Sequence, residues 1–599
     1  MKITFLQNMP DTIDKPFGVY QYDEQLAKEP NYVDIRGIIW TNDQNWLDQV
    51  QKSHAQISAK FLGYTRWWWV TGMSRLDARP WGQEHLFKPL FFARAVLEWL
   101  SCHPDIREVY LVGCPREVAV YLKEFKSDLV LDRGHQWGFP VFFISFLFKH
   151  VFMAVLKLFK NVFHVARHHL FRKGSFIKSN TLILYEAVAN LSLTDSYKFY
   201  YNGLFDHLSI DRKNPIAYGC IDSVYSPVKD LRHETNDDVF FVLDSISFSG
   251  FIKAMFINLY LIFITAQISL GKNPCTFGGH ISLWFWPDYL LRELSRTYCF
   301  GQICCYDALQ KIFKQHKYKG VVSSYEEKTI ERATLFACNE AAIPVIGYIP
   351  HPQHHLTLAL RNVYAPYSPK PEKYAVCGQK YIDYFLSWCK KKPESIVVWG
   401  SKKSLKEDFV LSGSLCNELT VLLLISHPNE LKVFYSWLRA EPRISRNITY
   451  LLRIYKAANC NVFSKVMSDL MNEFNCVKQV HGSFEEDLSQ CDLAAFCGTS
   501  AGLVAVNRGR LAIQLTLDDF FYINPCFGDL SPMLSCVSAV QFADRLDQIR
   551  IMDRGTIAEL HEKQQALVAQ IFSPIQTSLI EDMVRDPKIE LAECIHYQT

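Results

Sequence analysis

The sequence predicts an α/β fold built on parallel sheets. Three observations carry that expectation: short apolar runs ending in glycine or other turn residues, helical spacing in the stretch after each run, and a second series of the same alternation that restarts beyond residue 408. With 599 residues and 49% hydrophobic content the chain exceeds one ordinary core, so two or three domains are expected.

In the first half, Arg107–Gly113 (REVYLVG) reads as a strand and Glu117–Phe125 as the helix after it. Trp67, Trp68 and Trp69 set three indoles side by side, which favours a strand burying large side chains over a ligand platform. Lys319–Ser324 reads as a strand entering a turn, Thr329–Ala342 as a helix and Ile343–Tyr348 as the next strand. The loop Tyr364–Pro371 holds three prolines, and Lys373–Gly378 and Ser395–Gly400 repeat the strand-to-turn passage. The polar run Ser401–Asp408 has turn residues and charges without apolar periodicity, and is the expected hinge.

Beyond it, Val421–Ile425 reads as a buried strand followed by a helix from about Asn429. Asn447–Ile454 and Leu493–Phe496 are further strands, with helices over Cys460–Phe474 and Ala501–Arg508. Alternation of this kind implies a parallel sheet with ligands at the carboxyl ends of its strands. The expected organisation is an N-terminal Rossmann-like domain over 1–400 with an apolar and basic helical insertion at about 136–300, a second Rossmann-like domain over 401–545, and a helical tail over 546–599.

Two stretches of the insertion raise the question of lipid. From Gln136 to Lys173 there is no acidic residue, while Lys149, Lys157, Lys160, Arg167, Arg172 and Lys173 punctuate an apolar run. That suits a helix lying in an anionic interface, and equally a buried helix with solvated lysines. Ala254–Gly271, bracketed by Lys253 and Lys272, is just long enough to span a bilayer. A lone span would put the halves of the fold on opposite sides of a membrane, so a buried or interfacial helix is expected.

Charge and cysteine usage exclude other classes. The 64 basic and 61 acidic side chains nearly cancel, which gives no global argument for nucleic-acid binding. The 18 cysteines are scattered without a Cys-x-x-Cys, and no secretory signal is read at Met1–Leu6, so a reducing, cytoplasmic compartment is expected.

The chemistry gathers at strand-to-helix turns. Ser426-His427-Pro428 joins a strand to a helix, with Pro where a missing N–H costs nothing. A phosphate there would gain amides, the helix dipole and a His427 donor, although a plain N-cap explains Ser426 as well. Gly498-Thr499-Ser500 repeats the arrangement, with glycine allowing close approach and two hydroxyls beside helix-start amides. No Gly-x-x-x-x-Gly-Lys-Ser/Thr occurs, so a P-loop is not read.

In the first half, Glu326 and Glu327 follow Ser323-Ser324-Tyr325 at a strand end. Glu327 suits a capping box with Ser324, which leaves Glu326 as the general-base candidate. Glu331 faces either the same site or water. His351, His354 and His355 follow the next strand, but no cysteine or carboxylate at ligand spacing completes a metal set. No metal and no other cofactor is therefore expected.

Tyr325-Glu326 with Ile330-Glu331-Arg332-Ala333, then Val345–Tyr348 with its histidine-bearing loop, then Pro371-Glu372-Lys373-Tyr374 before Gly378, resembles bacterial surface-carbohydrate biosynthesis proteins. Trp67–Trp69, Lys198–Leu204 and the His-Pro and Gly-Thr-Ser elements extend the resemblance over most of the chain. It implies a two-Rossmann-domain (GT-B) glycosyltransferase related to transferases that use CMP-activated sialic, nonulosonic or Kdo-type sugars. In those, a His-Pro pair and a Ser/Thr pair hold the nucleotide phosphate and an N-domain carboxylate is the base, roles that fall on His427, Pro428, Thr499, Ser500 and Glu326. Ile330 replaces an expected aromatic residue, and Ile349-Pro350-His351 stands where a Gln-His pair is usual.

The expected partners are a nucleotide-sugar donor, a glycan or glycolipid acceptor and an anionic membrane in peripheral contact, at the inner face of the cytoplasmic membrane. The expected reaction is metal-independent glycosyl transfer for capsule, O-antigen or lipopolysaccharide, with inversion favoured. The rival readings are a CDP-glycerol-type polyol-phosphate transferase and a noncatalytic membrane-associated assembly protein.

Overall fold

The computed structural model describes residues 139–586 with interruptions, chiefly 168–178, 206–215, 222–238, 283–293, 353–368, 409–417, 455–459 and 517–524. Of the first 138 residues it describes short pieces that include 2–6, 108–112 and 130–132. Trp67–Trp69 and most of the helix expected over Glu117–Phe125 lie outside the described residues.

Among the described residues, β1 (Lys2–Leu6), β2 (Glu108–Val112) and β3 (Val130–Asp132) form a small parallel sheet. A larger, seven-stranded parallel sheet takes the order β12-β11-β10-β9-β4-β5-β6. Its strands are β4 (Thr181–Glu186), β5 (Ile216–Ile221), β6 (Val239–Phe241), β9 (Gly320–Ser324), β10 (Val345–Ile349), β11 (Lys373–Val376) and β12 (Ile396–Val398). A short antiparallel pair, β7 (Thr276–Phe277) and β8 (Ile281–Ser282), stands apart. The strands of the large sheet read as near-continuous apolar runs because helices cover both faces, and Leu182, Ile183, Val321 and Val322 are fully buried.

The helical insertion expected at about 136–300 does not stand apart. Three strands of the large sheet, β4 to β6, come from within it, interleaved with α1 (Phe139–Val165), α2 (Leu193–Tyr201) and α3 (Phe248–Ser269). Thr181–Glu186 (TLILYE) carries five buried residues in succession, a core-strand pattern that the neighbouring long apolar helices overshadow. Helix α3 packs against α1 and against α4 (Tyr298–Gln315), and α4 packs against α5 (Thr329–Glu340). A short helical turn, α6 (Lys380–Asp383), follows β11.

The second sheet has five parallel strands in the order β15-β14-β13-β16-β17, built from Val477–Gln479, Ile448–Ile454, Leu419–Ile425, Leu493–Phe496 and Leu511–Gln514. Its connecting helices are α7 (Pro428–Ala440), α8 (Cys460–Glu473), α9 (Phe484–Ser489) and α10 (Ala501–Asn507). The two-sheet α/β architecture expected from the sequence is thus present. In both sheets the strand order reverses once, between β4 and β9 in the first and between β13 and β16 in the second. Such reversals open a crevice at the carboxyl ends of the strands, where ligands of doubly wound sheets bind.

The C-terminal helices α11 (Ala539–Ile551), α12 (Arg554–Ile571) and α13 (Thr577–Arg585) tie the two sheets together. Gln564 of α12 accepts from Ala512 N at 2.9 Å and donates to Ala512 O at 2.7 Å, serving edge strand β17 as a neighbouring strand would. The chain then returns to the first sheet: Ser573 N donates to Cys377 O (2.8 Å) and Gln576 N to Trp399 O (3.0 Å). Thr181 Oγ1 donates to Val584 O at 2.6 Å. Two glycines admit this return, because a Cβ on Gly378 would lie 2.4 Å from Ile571 O and one on Gly400 would lie 2.1 Å from Pro574 O.

Candidate active site

At the switch point of the first sheet, β9 ends at Ser324 and the chain turns through Tyr325, whose N–H donates to Tyr348 O at 2.7 Å. Glu331, in the first turn of α5, reaches back to accept from Glu326 N (2.6 Å) and Lys328 N (2.8 Å). Ser324 Oγ lies 3.4 Å from its other oxygen. Glu331 thereby satisfies amides at the start of the helix. Glu327, assigned a capping role from the sequence, lies outside the described residues.

With Glu331 holding the turn, Glu326 forms an ion pair with Lys328 Nζ at 3.0 Å. Lys328 also donates to Tyr200 Oη (3.4 Å), whose hydroxyl donates to Glu186 at the end of β4 (3.3 Å). A chain of polar groups therefore crosses the switch point from β9 to β4. Burial alone would push the Lys328 ammonium down, but Glu326, Tyr200 and Glu331 together hold it well above the usual lysine value. Burial pushes the Glu331 carboxyl up to about 8, with Lys328 opposing and Glu326 adding to the rise.

The histidine-bearing loop contributes His351, whose ring lies 5.0 Å from that of Phe199. Its Nδ1 is 3.3 Å from Lys403 Nζ. Burial lowers the Lys403 ammonium, opposed by Cys377 and Glu326. His354 and His355 lie outside the described residues. Among the described residues no three His, Cys, Asp or Glu side chains lie together as a metal set.

At the switch point of the second sheet, β13 ends at Ser426 and Pro428 is the first residue of α7, as its fixed φ and missing N–H favour. Here the structure alters the expected roles. Glu430, which is 2% exposed, accepts from Ser426 N (2.6 Å) and Ser426 Oγ (3.0 Å), and Gly498 N lies 3.4 Å from its other oxygen. Two donors that the sequence assigns to a phosphate are thus turned toward a buried carboxylate that holds the two turns together. Thr499 Oγ1 accepts from Ala501 N at 3.2 Å, while Ser500, at the N-cap of α10, makes no side-chain capping bond. Gly502 is required by close approach, since a Cβ there would lie 2.1 Å from the Phe496 ring. His427 lies outside the described residues.

One contact links the two sites. Helix α10 begins beside the Gly498–Ser500 turn and ends at Asn507, whose Nδ2 donates to Lys403 O at 2.7 Å. Glu407 N donates to Asn507 O at 2.7 Å, and Arg508 pairs with Glu407 at 2.9 Å. The polar run Ser401–Asp408, expected as a hinge, carries these bonds.

Sequence reasoning passed over Lys328, Lys403, Tyr200, Glu186 and Glu430. A usable signal existed for Glu430, four residues after Ser426 in the first turn of a helix, where a carboxylate reaches back to preceding amides. Tyr200 falls in the Lys198–Leu204 stretch of the resemblance but with no role attached, and Glu186 carried no signal, since the topology alone brings β4 beside β9.

No family model and no curated protein matches the chain. Among solved structures it is similar to the N-terminal domain of Candida albicans trehalose-6-phosphate phosphatase, at 10% identity and a TM-score of 0.42, covering 70% of this chain and 100% of that one. It is similar also to a trehalose-6-phosphate synthase from Burkholderia multivorans, at 8% identity and a TM-score of 0.40, covering 71% and 99%. A third is the lipopolysaccharide outer core galactosyltransferase WaaB, at 9% identity and a TM-score of 0.40, covering 68% and 99%. These are likenesses of general layout and say nothing of the chemistry.

Proposed function

We propose that the protein is a glycosyltransferase of the GT-B kind, moving a sugar from a nucleotide-activated donor to a hydroxyl acceptor in surface-polysaccharide biosynthesis. The observation that carries this reading is that both candidate turns fall at switch points: Glu326 with Lys328 at β9/β4, and Ser426 and Gly498, joined through Glu430, at β13/β16. In this scheme the Glu326 carboxylate takes the proton of the acceptor hydroxyl. The acceptor oxygen bonds to the anomeric carbon as the bond from that carbon to the phosphate oxygen breaks, and the electron pair leaves with the nucleotide phosphate. Amides at the start of α7, His427, and the Thr499 and Ser500 hydroxyls stabilise that charge. Direct attack inverts the anomeric centre, and the scheme uses no metal.

The resemblance in sequence favours a CMP-linked acidic sugar as donor and a lipid-linked acceptor at the inner face of the cytoplasmic membrane. Purified protein exposed to CMP, CDP, UDP and GDP, and to the matching sugar donors, tests the reading. A rise in melting temperature with CMP, and acceptor-dependent release of CMP, are expected. Absence of a shift with every nucleotide overturns the nucleotide site. A phosphodiester in the product overturns glycosyl transfer in favour of polyol-phosphate transfer.

A further inference from the structure

Two helices in the first half leave large apolar side chains in water. On α1, Phe152, Phe159 and Phe163 are exposed, and on α3, Phe256, Tyr260 and Phe263 are exposed, from 47% for Tyr260 to 69% for Phe163. In each helix these positions follow the three- and four-residue spacing of a single stripe. The opposite faces are committed: Ala154, Leu158 and Val165 of α1 and Ala254, Leu261 and Ile264 of α3 belong to the core. The two helices pack against each other and both touch α4, so their exposed stripes lie on the outer side of one layer.

The charges on these stripes have one sign. Lys149, Lys160 and Arg167 on and beside α1, and Lys253 on α3, are exposed. Neither helix contains an acidic residue. Helix α3 is long and apolar enough to cross a membrane, yet 44% of that window is buried. Its Ala254, Leu261 and Ile264 are buried in the core, so only its outer stripe is open to lipid.

We infer that the outer face of α1 and α3 docks in the plane of an anionic bilayer surface, with the phenylalanines at the acyl boundary and the cations among the headgroups. Aromatic side chains beside lysine and arginine match the interfacial zone of an anionic leaflet. A second copy docked face to face would set these cations against their own duplicates, with no acid on either helix to pair them. This deepens the membrane-side placement proposed above. It stands on exposure and charge alone, independently of the nucleotide sites.

The test is flotation of the full chain with vesicles of phosphatidylcholine alone and with about 30% phosphatidylglycerol, each at low and high salt. The expected result is binding to the anionic vesicles that weakens with salt. In Phe159→Ser/Phe163→Ser/Phe263→Ser it falls by about tenfold, as lost apolar contact with the acyl boundary requires. Lys160→Glu/Lys253→Glu should lose binding to anionic vesicles in the same assay. All these side chains are exposed, so an unchanged melting temperature checks the fold of each variant. Nucleotide-induced thermal shifts, measured separately, should not change, so failure of docking and failure of the nucleotide reading give different results. No binding to either vesicle overturns the inference. So does binding indifferent to the phenylalanine changes, or a dimer in sedimentation that those changes dissolve.

Discussion

Glu331 holds the amide of Glu326 at 2.6 Å, so one buried carboxylate sets the position of the other. Burial raises the Glu331 carboxyl from 4.5 to about 8. A carboxyl whose folded pKa exceeds its unfolded value binds its proton more tightly in the fold. Its stabilising contribution is complete below 4.5 and is lost as the pH rises through about 8. Glu331→Gln keeps an acceptor for both amides and removes the titration. Thermal melts should therefore show the wild type losing stability between these limits, with the variant flatter by about 2–4 °C over the same window. Parallel curves for the two proteins would show that Glu331 does not titrate there.

Glu326→Gln should lower turnover by about 10²- to 10⁴-fold, the range for removing a general base. The nucleotide-induced thermal shift should remain, because the change lies at the other switch point. Lys328→Met removes the ammonium 3.0 Å from Glu326 and should also lower turnover, because the carboxylate loses the partner that fixes its position. Turnover unchanged by Glu326→Gln removes it from the base role.

Glu430→Ala leaves the half-buried amides of Ser426 and Gly498 without their acceptor. A loss of about 2–4 kcal/mol in denaturant unfolding is expected, with a smaller loss for Glu430→Gln, which retains an acceptor oxygen. If the two turns form one nucleotide site, nucleotide affinity should fall in both variants, more in the alanine. A stable Glu430→Ala protein with unaltered affinity would separate Glu430 from the site.

The second sheet was legible because its strands are bounded by turns. Val421–Ile425 and Leu493–Phe496 were expected, and β13 and β16 are found there. The first sheet was legible only from β9 onward. Strands β4 to β6 lie between long helices whose apolar length dominates a linear reading, and three strands vanished into an expected insertion. Site residues followed the same rule. Glu326 and Gly498 sit at turns adjacent in sequence to their strands, and so stand out as candidates. Tyr200 meets Lys328 from 128 residues away, a meeting that depends on β4 pairing with β9. Glu430 was legible and passed over: a carboxylate four residues after Ser426, in the first turn of a helix, is placed to claim the amide donors that a phosphate would otherwise take.

The return of the C-terminal tail to the first sheet gives a last prediction, because two glycines meet it in different ways. Gly378 has no positive φ, but a Cβ there would lie 2.4 Å from Ile571 O and 2.7 Å from Gln570 O, both main-chain atoms, so overpacking alone resists a side chain. Gly400 combines a φ of +81° with a Cβ that would lie 2.1 Å from Pro574 O, so both its own backbone and the facing chain resist a side chain. Ser401 N donates to Ser573 O at 2.9 Å beside it, so displacing the tail also breaks that bond. Gly400→Ala should cost about 2–3 kcal/mol and Gly378→Ala less, since the alanine penalty at positive φ adds to overpacking at only one of them. Limited proteolysis followed by mass spectrometry should show cleavage near residues 571–576 sooner in Gly400→Ala than in the wild type. Equal cleavage rates would mean that the tail is held by Gln564 on β17 and by Val584 on Thr181, and not by its passage over the ends of β11 and β12.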